Sequence, residues 1–148
     1  MIPQLTFMAL LMLFWHVLNA SNPVFNGALT YLVISFCLRM FIAKEHRKGI
    51  TIVRLEKFGD AIPHFEKSYE FFRKFAWLDK YRYFTLLSSS KMSYKEMALN
   101  NIAFCYGQIG DGIKSKEYYE RALKEFPDSG IAKVGLRLLN SMKGKADI

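Results

Sequence analysis

The sequence predicts an all-α protein in two parts, an apolar membrane hairpin and a small water-soluble domain. Charge is the first observation: residues 1–38 contain no Asp, Glu, Lys or Arg, so all 21 basic and 13 acidic residues lie from Arg39 onward. A bilayer is the usual place for so long an uncharged stretch. The second observation is a helical apolar period throughout the chain beyond Gly49. We place the boundary between the parts at residue 43, giving 1–43 and 44–148.

The first part has the pattern of two membrane-spanning helices joined by a turn. Two apolar runs, 5–19 and 28–43, flank the segment ASNPVFNG at 20–27, which concentrates turn-forming residues. Spans of about 2–19 and 25–43 give each helix about 19 residues, close to the length that crosses a bilayer. The sequence therefore predicts a transmembrane helical hairpin.

Basic residues after the second run predict the orientation of the hairpin. Four of them, Lys44, Arg47, Lys48 and Arg54, are opposed by two acidic residues over residues 44–56. The positive-inside rule places this flank, and with it the soluble domain, in the cytoplasm. A cleaved signal peptide is the alternative for the first run, although residues 1–7 lack the basic start of such peptides. Whether the first run is retained stays open.

Three helices are predicted in the C-terminal half. The sequence Ser93 to Glu96 (SYKE) is a capping box at the start of the first helix, and the glycine-rich segment 107–112 ends it. A second helix is expected at about 113–126, where Pro127 stops it. The third is expected at about 130–142.

A spaced set of large and small residues covers the first two of these helices. Small residues are needed where two helices touch closely, and large residues where the gap is wide. The set comprises Leu99, Ile102, Ala103, Tyr106, Gly110, Asp111, Tyr119, Ala122 and Pro127. Residues 96–129 thereby resemble a tetratricopeptide repeat, a 34-residue helix-turn-helix unit.

A fainter copy of the same pattern covers residues 42–75, with Gly49 at the place where the helices approach most closely. The resemblance implies a short α-solenoid of two repeats, separated by an insert at 76–95 and closed by the C-terminal helix at 130–142. No Pro or Gly interrupts residues 28–48, so one continuous helix is expected from the membrane into the first repeat.

Composition and spacing argue against several function classes. The net charge of +8 is spread along the soluble part beside acidic residues, and no base-reading motif accompanies it, so we expect no nucleic-acid binding. The serines at 88–90 have no nearby histidine, and His46 and His64 lack metal-ligand spacing. We expect neither enzymatic activity nor a bound metal or cofactor.

The resemblance implies a concave face lined by the first helix of each repeat. Basic and amide side chains there would suit a protein partner that presents an extended acidic segment. The expected binding residues are His46, Arg47, Ile50, Arg54, Asn100, Asn101, Phe104 and Gln108.

A second candidate surface is the segment 71–84, which contains seven aromatic and four basic residues. A helix with apolar residues nearly all round must be covered on several sides. Trp77, Tyr81 and Phe84 lie on one of its faces and are candidates for contact with a partner or with lipid headgroups.

These observations predict a membrane-tethered interaction module or adaptor that holds a partner protein at the cytoplasmic membrane face. The alternative is an accessory or immunity-type subunit of a membrane complex, in which the spans make the specific contacts. The identity of the partner and the oligomeric state stay open.

Overall fold

The computed structural model describes residues 2–19, 21–80 and 91–146, and within these ranges the regular structure is helical, with no strand. This confirms the predicted all-α class. The described residues divide at Ala43 into two compact units, residues 2–43 and residues 44–80 with 91–146.

The first unit is a pair of packed helices, α1 (Ile2–Val17) and α2 (Pro23–Ile42). They approach closely at Gly27, where a Cβ atom would lie 2.9 Å from Cγ of Met12. Nearby, Nε1 of Trp15 donates a hydrogen bond to Oγ1 of Thr30 at 3.1 Å. Glycine therefore lets the two backbones approach at the point where a polar contact also joins them.

Among the described residues, α2 is the one helix long and apolar enough to cross a membrane, by length and composition. The 16 residues of α1 are also apolar, but at 1.5 Å per residue they span about 24 Å, less than the roughly 30 Å hydrocarbon core of a bilayer. Of the two predicted spans, only the second meets the length requirement without extension.

The expected continuous helix from residue 28 to residue 48 is wrong. Ala43 adopts φ −93° and ψ 16°, which ends α2 at Ile42, and α3 (Lys44–Arg54) begins at the next residue. Alanine can adopt this sparsely populated backbone conformation. The helix therefore ends without a Pro or Gly that would mark its end in the sequence.

The second unit contains, after α3, the helices α4 (Phe58–Lys74), α5 (Ala76–Lys80), α6 (Tyr94–Gln108), α7 (Gly112–Glu125) and α8 (Gly130–Ala146). Helix α3 packs on α4, α4 on α6, α6 on α7, and α7 on α8, so each long helix packs on the next long helix along the chain. The three C-terminal helices begin within one residue of their predicted starts.

Two local caps explain the starts of α6 and α7. Oγ of Ser93 accepts the backbone N–H of Glu96 at 3.0 Å, and Oδ1 of Asp111 accepts that of Lys114 at 3.0 Å. Each bond satisfies one of the N–H groups that a helix start leaves without an intrahelical partner.

A third cap comes from a distant residue. Asp79, at the end of α5 and 4% exposed, accepts the backbone N–H groups of Tyr94 and Lys95 at 2.8 and 3.1 Å. Its carboxylate therefore ties α5 to the start of α6.

Helix α6 lies at the centre of the second unit, because it contributes to both of its apolar clusters. On one side Ala98, Leu99 and Ala103 are fully buried. On the other, Ile102 and Cys105 pack in the cluster that contains Phe65. Helix α6 is thus held by neighbours on both sides.

A substitution at Gly49 tests the close packing of α3 on α4. A Cβ atom at this position would lie 2.8 Å from Cε1 of the fully buried Phe65, whereas one at Gly59 meets nothing within 4 Å. We expect Gly49→Ala to lower the free energy of unfolding by about 1–3 kcal/mol through overpacking. Gly59→Ala should raise it by about 0.4–1 kcal/mol, because alanine restricts the unfolded chain.

Denaturation followed by circular dichroism in detergent measures both effects. Equal stability of the two variants would contradict the close contact between α3 and α4.

Candidate partner-binding groove

The second unit carries a groove bordered by α3, α6 and α8. It consists of two adjoining cavities of about 460 and 380 Å³, which share Phe104 and Tyr119 in their walls. The larger cavity is lined by His46, Ile50, Met92, Met97, Asn100, Asn101, Phe104, Tyr119 and Ile131.

Most of the sequence-predicted binding residues meet at this groove. Five of the eight line the larger cavity, and Gln108 lines the smaller one. Arg47 and Arg54 are exposed but line neither cavity. The five that come together are His46, Ile50, Asn100, Asn101 and Phe104.

His46 forms a neutral part of the wall. The residue is 6% exposed, and its ring meets the rings of Phe65 and Tyr94 edge-on at centroid distances of 5.4 and 5.3 Å. Its Nδ1 lies 3.3 Å from Oγ of Ser68. Burial lowers the pKa of His46 to about 4, so the ring carries no charge at neutral pH.

Asn100 is a buried amide behind the wall of the larger cavity. The residue is 3% exposed, and its Nδ2 donates to Oγ of Ser129 at 3.2 Å. Its Oδ1 is buried without a hydrogen-bond partner among the described residues. An unpaired buried carbonyl costs about 1–3 kcal/mol, so this amide lowers the stability of the fold.

The lining carries no Asp, Glu, Lys or Arg among the described residues of either cavity. The predicted amide groups are present, but the predicted basic charge is not, because Arg47 and Arg54 project elsewhere and His46 is neutral. Apolar side chains dominate instead, and Met92 and Met97 provide flexible surface that adapts to the shape of a ligand.

Helix α8 supplies a wall of the groove that the sequence analysis did not assign to a site. Ile131 lines the larger cavity, and Leu138 and Met142 line the smaller one. These residues are 50%, 60% and 68% exposed, and with Val134 they form one stripe of the helix. The helical spacing of these four apolar residues is the sequence signal that indicates such a face.

The aromatic candidate surface is only partly described. Trp77 is 58% exposed on α5, while Tyr81 and Phe84 lie outside the described residues. Earlier in the segment, Phe72 is fully buried and its ring stacks on that of Tyr94 at 4.6 Å. This part of the segment therefore belongs to the core.

Charged groups elsewhere in the second unit join helices to one another. Glu125 accepts a hydrogen bond from the Tyr69 hydroxyl at 2.5 Å and pairs with Lys95 at 3.0 Å. Burial acts to raise the pKa of Glu125, but the hydrogen bonds from Tyr69 and Lys95 hold it below its usual value. The described residues contain no group of three His, Cys, Asp or Glu side chains placed to hold a metal ion.

Comparison with known proteins found no matching family model, and no curated protein or solved structure matches the chain significantly. The resemblance to tetratricopeptide repeats therefore rests on the residue spacing and helix contacts of this chain alone.

The unpaired Oδ1 predicts an unusual response to mutation. We expect Asn100→Leu to change the free energy of unfolding by less than about 1 kcal/mol, because the lost hydrogen bond to Ser129 is offset by removal of the unsatisfied carbonyl. The matched variant Asp79→Leu also replaces a buried polar residue. It should cost about 2–4 kcal/mol, because it leaves two backbone N–H groups unpaired.

Urea unfolding of both variants measures these changes. A loss of more than about 2 kcal/mol in Asn100→Leu would contradict an unpaired Oδ1 in the folded protein.

Proposed function

We propose that the chain is a membrane-tethered interaction module that holds a segment of a partner protein at the cytoplasmic membrane face. The observation that carries the proposal is the α3–α6–α8 groove, an uncharged surface lined mainly by apolar side chains together with the amides of Asn100 and Asn101. A partner segment with apolar side chains and one hydrogen-bond donor fits this lining better than the acidic segment expected from the sequence.

The size of the groove supports a peptide ligand. Its two cavities, of about 460 and 380 Å³, fall in the range of sites that bury several side chains. Binding would cover Phe104, Leu138 and Met142, which are 40%, 60% and 68% exposed. A hydrogen bond to the amide of Asn101, which is partly exposed and lines the larger cavity, would fix the position of the segment along the groove.

Pairs of residues with the same separation in sequence occupy similar places in α3–α4 and in α6–α7, which supports a repeat of the tetratricopeptide kind. Gly49 and Ala103 both lie at buried helix contacts, as do Ala61 and Ser115. The same separation in sequence relates His46 to Asn100 and Ile50 to Phe104, and all four residues line the larger cavity. We therefore treat α3–α4 and α6–α7 as two repeats and α8 as the closing helix.

The exposed faces of the first unit support the membrane anchor. Phe25, Phe36 and Phe41 on α2 are 66%, 63% and 77% exposed, and soluble proteins rarely leave so large an apolar surface in water. In the proposed hairpin, α1 and its flanking residues form a second span beside α2. The basic residues that follow Ala43 support a cytoplasmic location for the second unit, by the positive-inside rule.

Site-specific photocrosslinking in native membranes tests the groove. We expect a photoreactive phenylalanine analogue at position 104 to give a discrete adduct with a partner. The same analogue at Ile113, which is 78% exposed and lines neither cavity, should give none. Met97→Glu should lower the adduct yield at 104 by about tenfold or more, because it places a charge in an apolar site.

Ile113→Glu is the matched control and should leave that yield unchanged. Adducts that form from Phe36 on α2 but not from position 104 would contradict the groove. They would favour the accessory or immunity-type subunit, whose membrane spans make the specific contacts.

A further inference from the structure

Helix α3 presents a basic face that the groove does not use. At 3.6 residues per turn, its four basic residues lie within an arc of about 120°. All four are exposed, and Thr51 between them is exposed as well. The four are Lys44, Arg47, Lys48 and Arg54.

The single acidic residue of α3, Glu45, contacts the neighbouring helix α4. Oε2 of Glu45 lies 2.8 Å from Nδ1 of His64 on α4, and the hydrogen bond from His64 lowers the pKa of Glu45. This carboxylate is therefore ionised and engaged at the α3–α4 contact. Lys48 also lowers the pKa of Glu45, but this one carboxylate on α3 is outnumbered by the four basic residues of the face.

The basic face begins where the candidate membrane helix ends. Lys44 is the second residue after Ile42, so its Cα lies within about 7.6 Å of the end of α2, whatever the angle between the helices. Lys48 follows one helical turn later, about 6 Å further. These separations are comparable with the Debye length, which is about 8–10 Å at physiological salt. Within this distance a basic side chain is still attracted to negative charge at the membrane surface.

We propose that the basic face of α3 binds the headgroups of anionic phospholipids. The proposal rests on the anchoring of α2 in the bilayer, which brings the face to the membrane surface. Neutral phospholipids carry no net charge to attract it, whereas each basic residue near an anionic surface strengthens association by about fivefold. Headgroup contact on α3 would hold the second unit close to the bilayer.

Fluorescence of the full-length protein in vesicles tests this contact. The reporter is an environment-sensitive dye on Thr51→Cys, in a Cys37→Ser background because Cys37 is exposed. Cys105 can stay, since it is buried and burial raises the pKa of its thiol to about 11. One vesicle preparation contains phosphatidylcholine alone, and the other also contains phosphatidylglycerol.

We expect a blue shift of the dye, and quenching by headgroup-labelled lipid, only in vesicles with phosphatidylglycerol. High salt should reverse both, because it screens the attraction. Lys48→Glu with Arg54→Glu should reduce the quenching by about tenfold or more. The matched control, Lys133→Glu with Arg137→Glu, makes the same charge change on exposed positions of α8 and should preserve it.

Four results would overturn the proposal. Equal spectra in the two vesicle types, or quenching that survives Lys48→Glu with Arg54→Glu, would refute headgroup binding while leaving the anchor in place. A response in neutral vesicles to added polyglutamate would assign the face to an acidic protein segment. Failure of the protein to float with either vesicle type would refute the anchor, and the lipid contact with it.

Discussion

The apolar surface of α1 and α2 is the constraint on which the rest of the account depends. Large side chains such as Leu10, Phe25 and Phe41 are 61%, 66% and 77% exposed, and no charged residue occurs before Arg39. Each such side chain gains about 1.5–3 kcal/mol on leaving water completely, so the surface requires an apolar cover. In our proposal a bilayer supplies that cover, the first basic residues of α3 lie near the membrane surface, and the groove lies in the second unit.

Helix α6 links the stability of the second unit to its proposed binding. Its alanines at 98 and 103 are buried among neighbouring helices, while Asn101 and Phe104 line the groove. Asn100 lies between these roles: its Nδ2 bonds to Ser129, and its Oδ1 has no partner among the described residues. A buried unsatisfied carbonyl is unfavourable for folding.

The sequence predicted the elements whose signals are local. The cap at Ser93 and the stop at Pro127 lie beside the helix ends that they determine, so α6, α7 and α8 begin close to their expected positions. Contacts between distant residues carried no such signal. The burial of His46 depends on Phe65 and Tyr94, and the rotation of α3 that turns Arg47 and Arg54 away from the groove follows from the packing of α3 on its neighbours. The cap by Asp79 and the groove wall from α8 were missed for the same reason.

Cysteine accessibility in intact cells tests the membrane anchoring most directly. In the Cys37→Ser background, single cysteines would replace Ser21, between α1 and α2, and Ser141, an exposed residue of α8. An impermeant thiol reagent applied from outside should label position 21 in intact cells and position 141 only after permeabilisation. Labelling of position 141 in intact cells, with position 21 protected, would contradict an anchored domain on the cytoplasmic side.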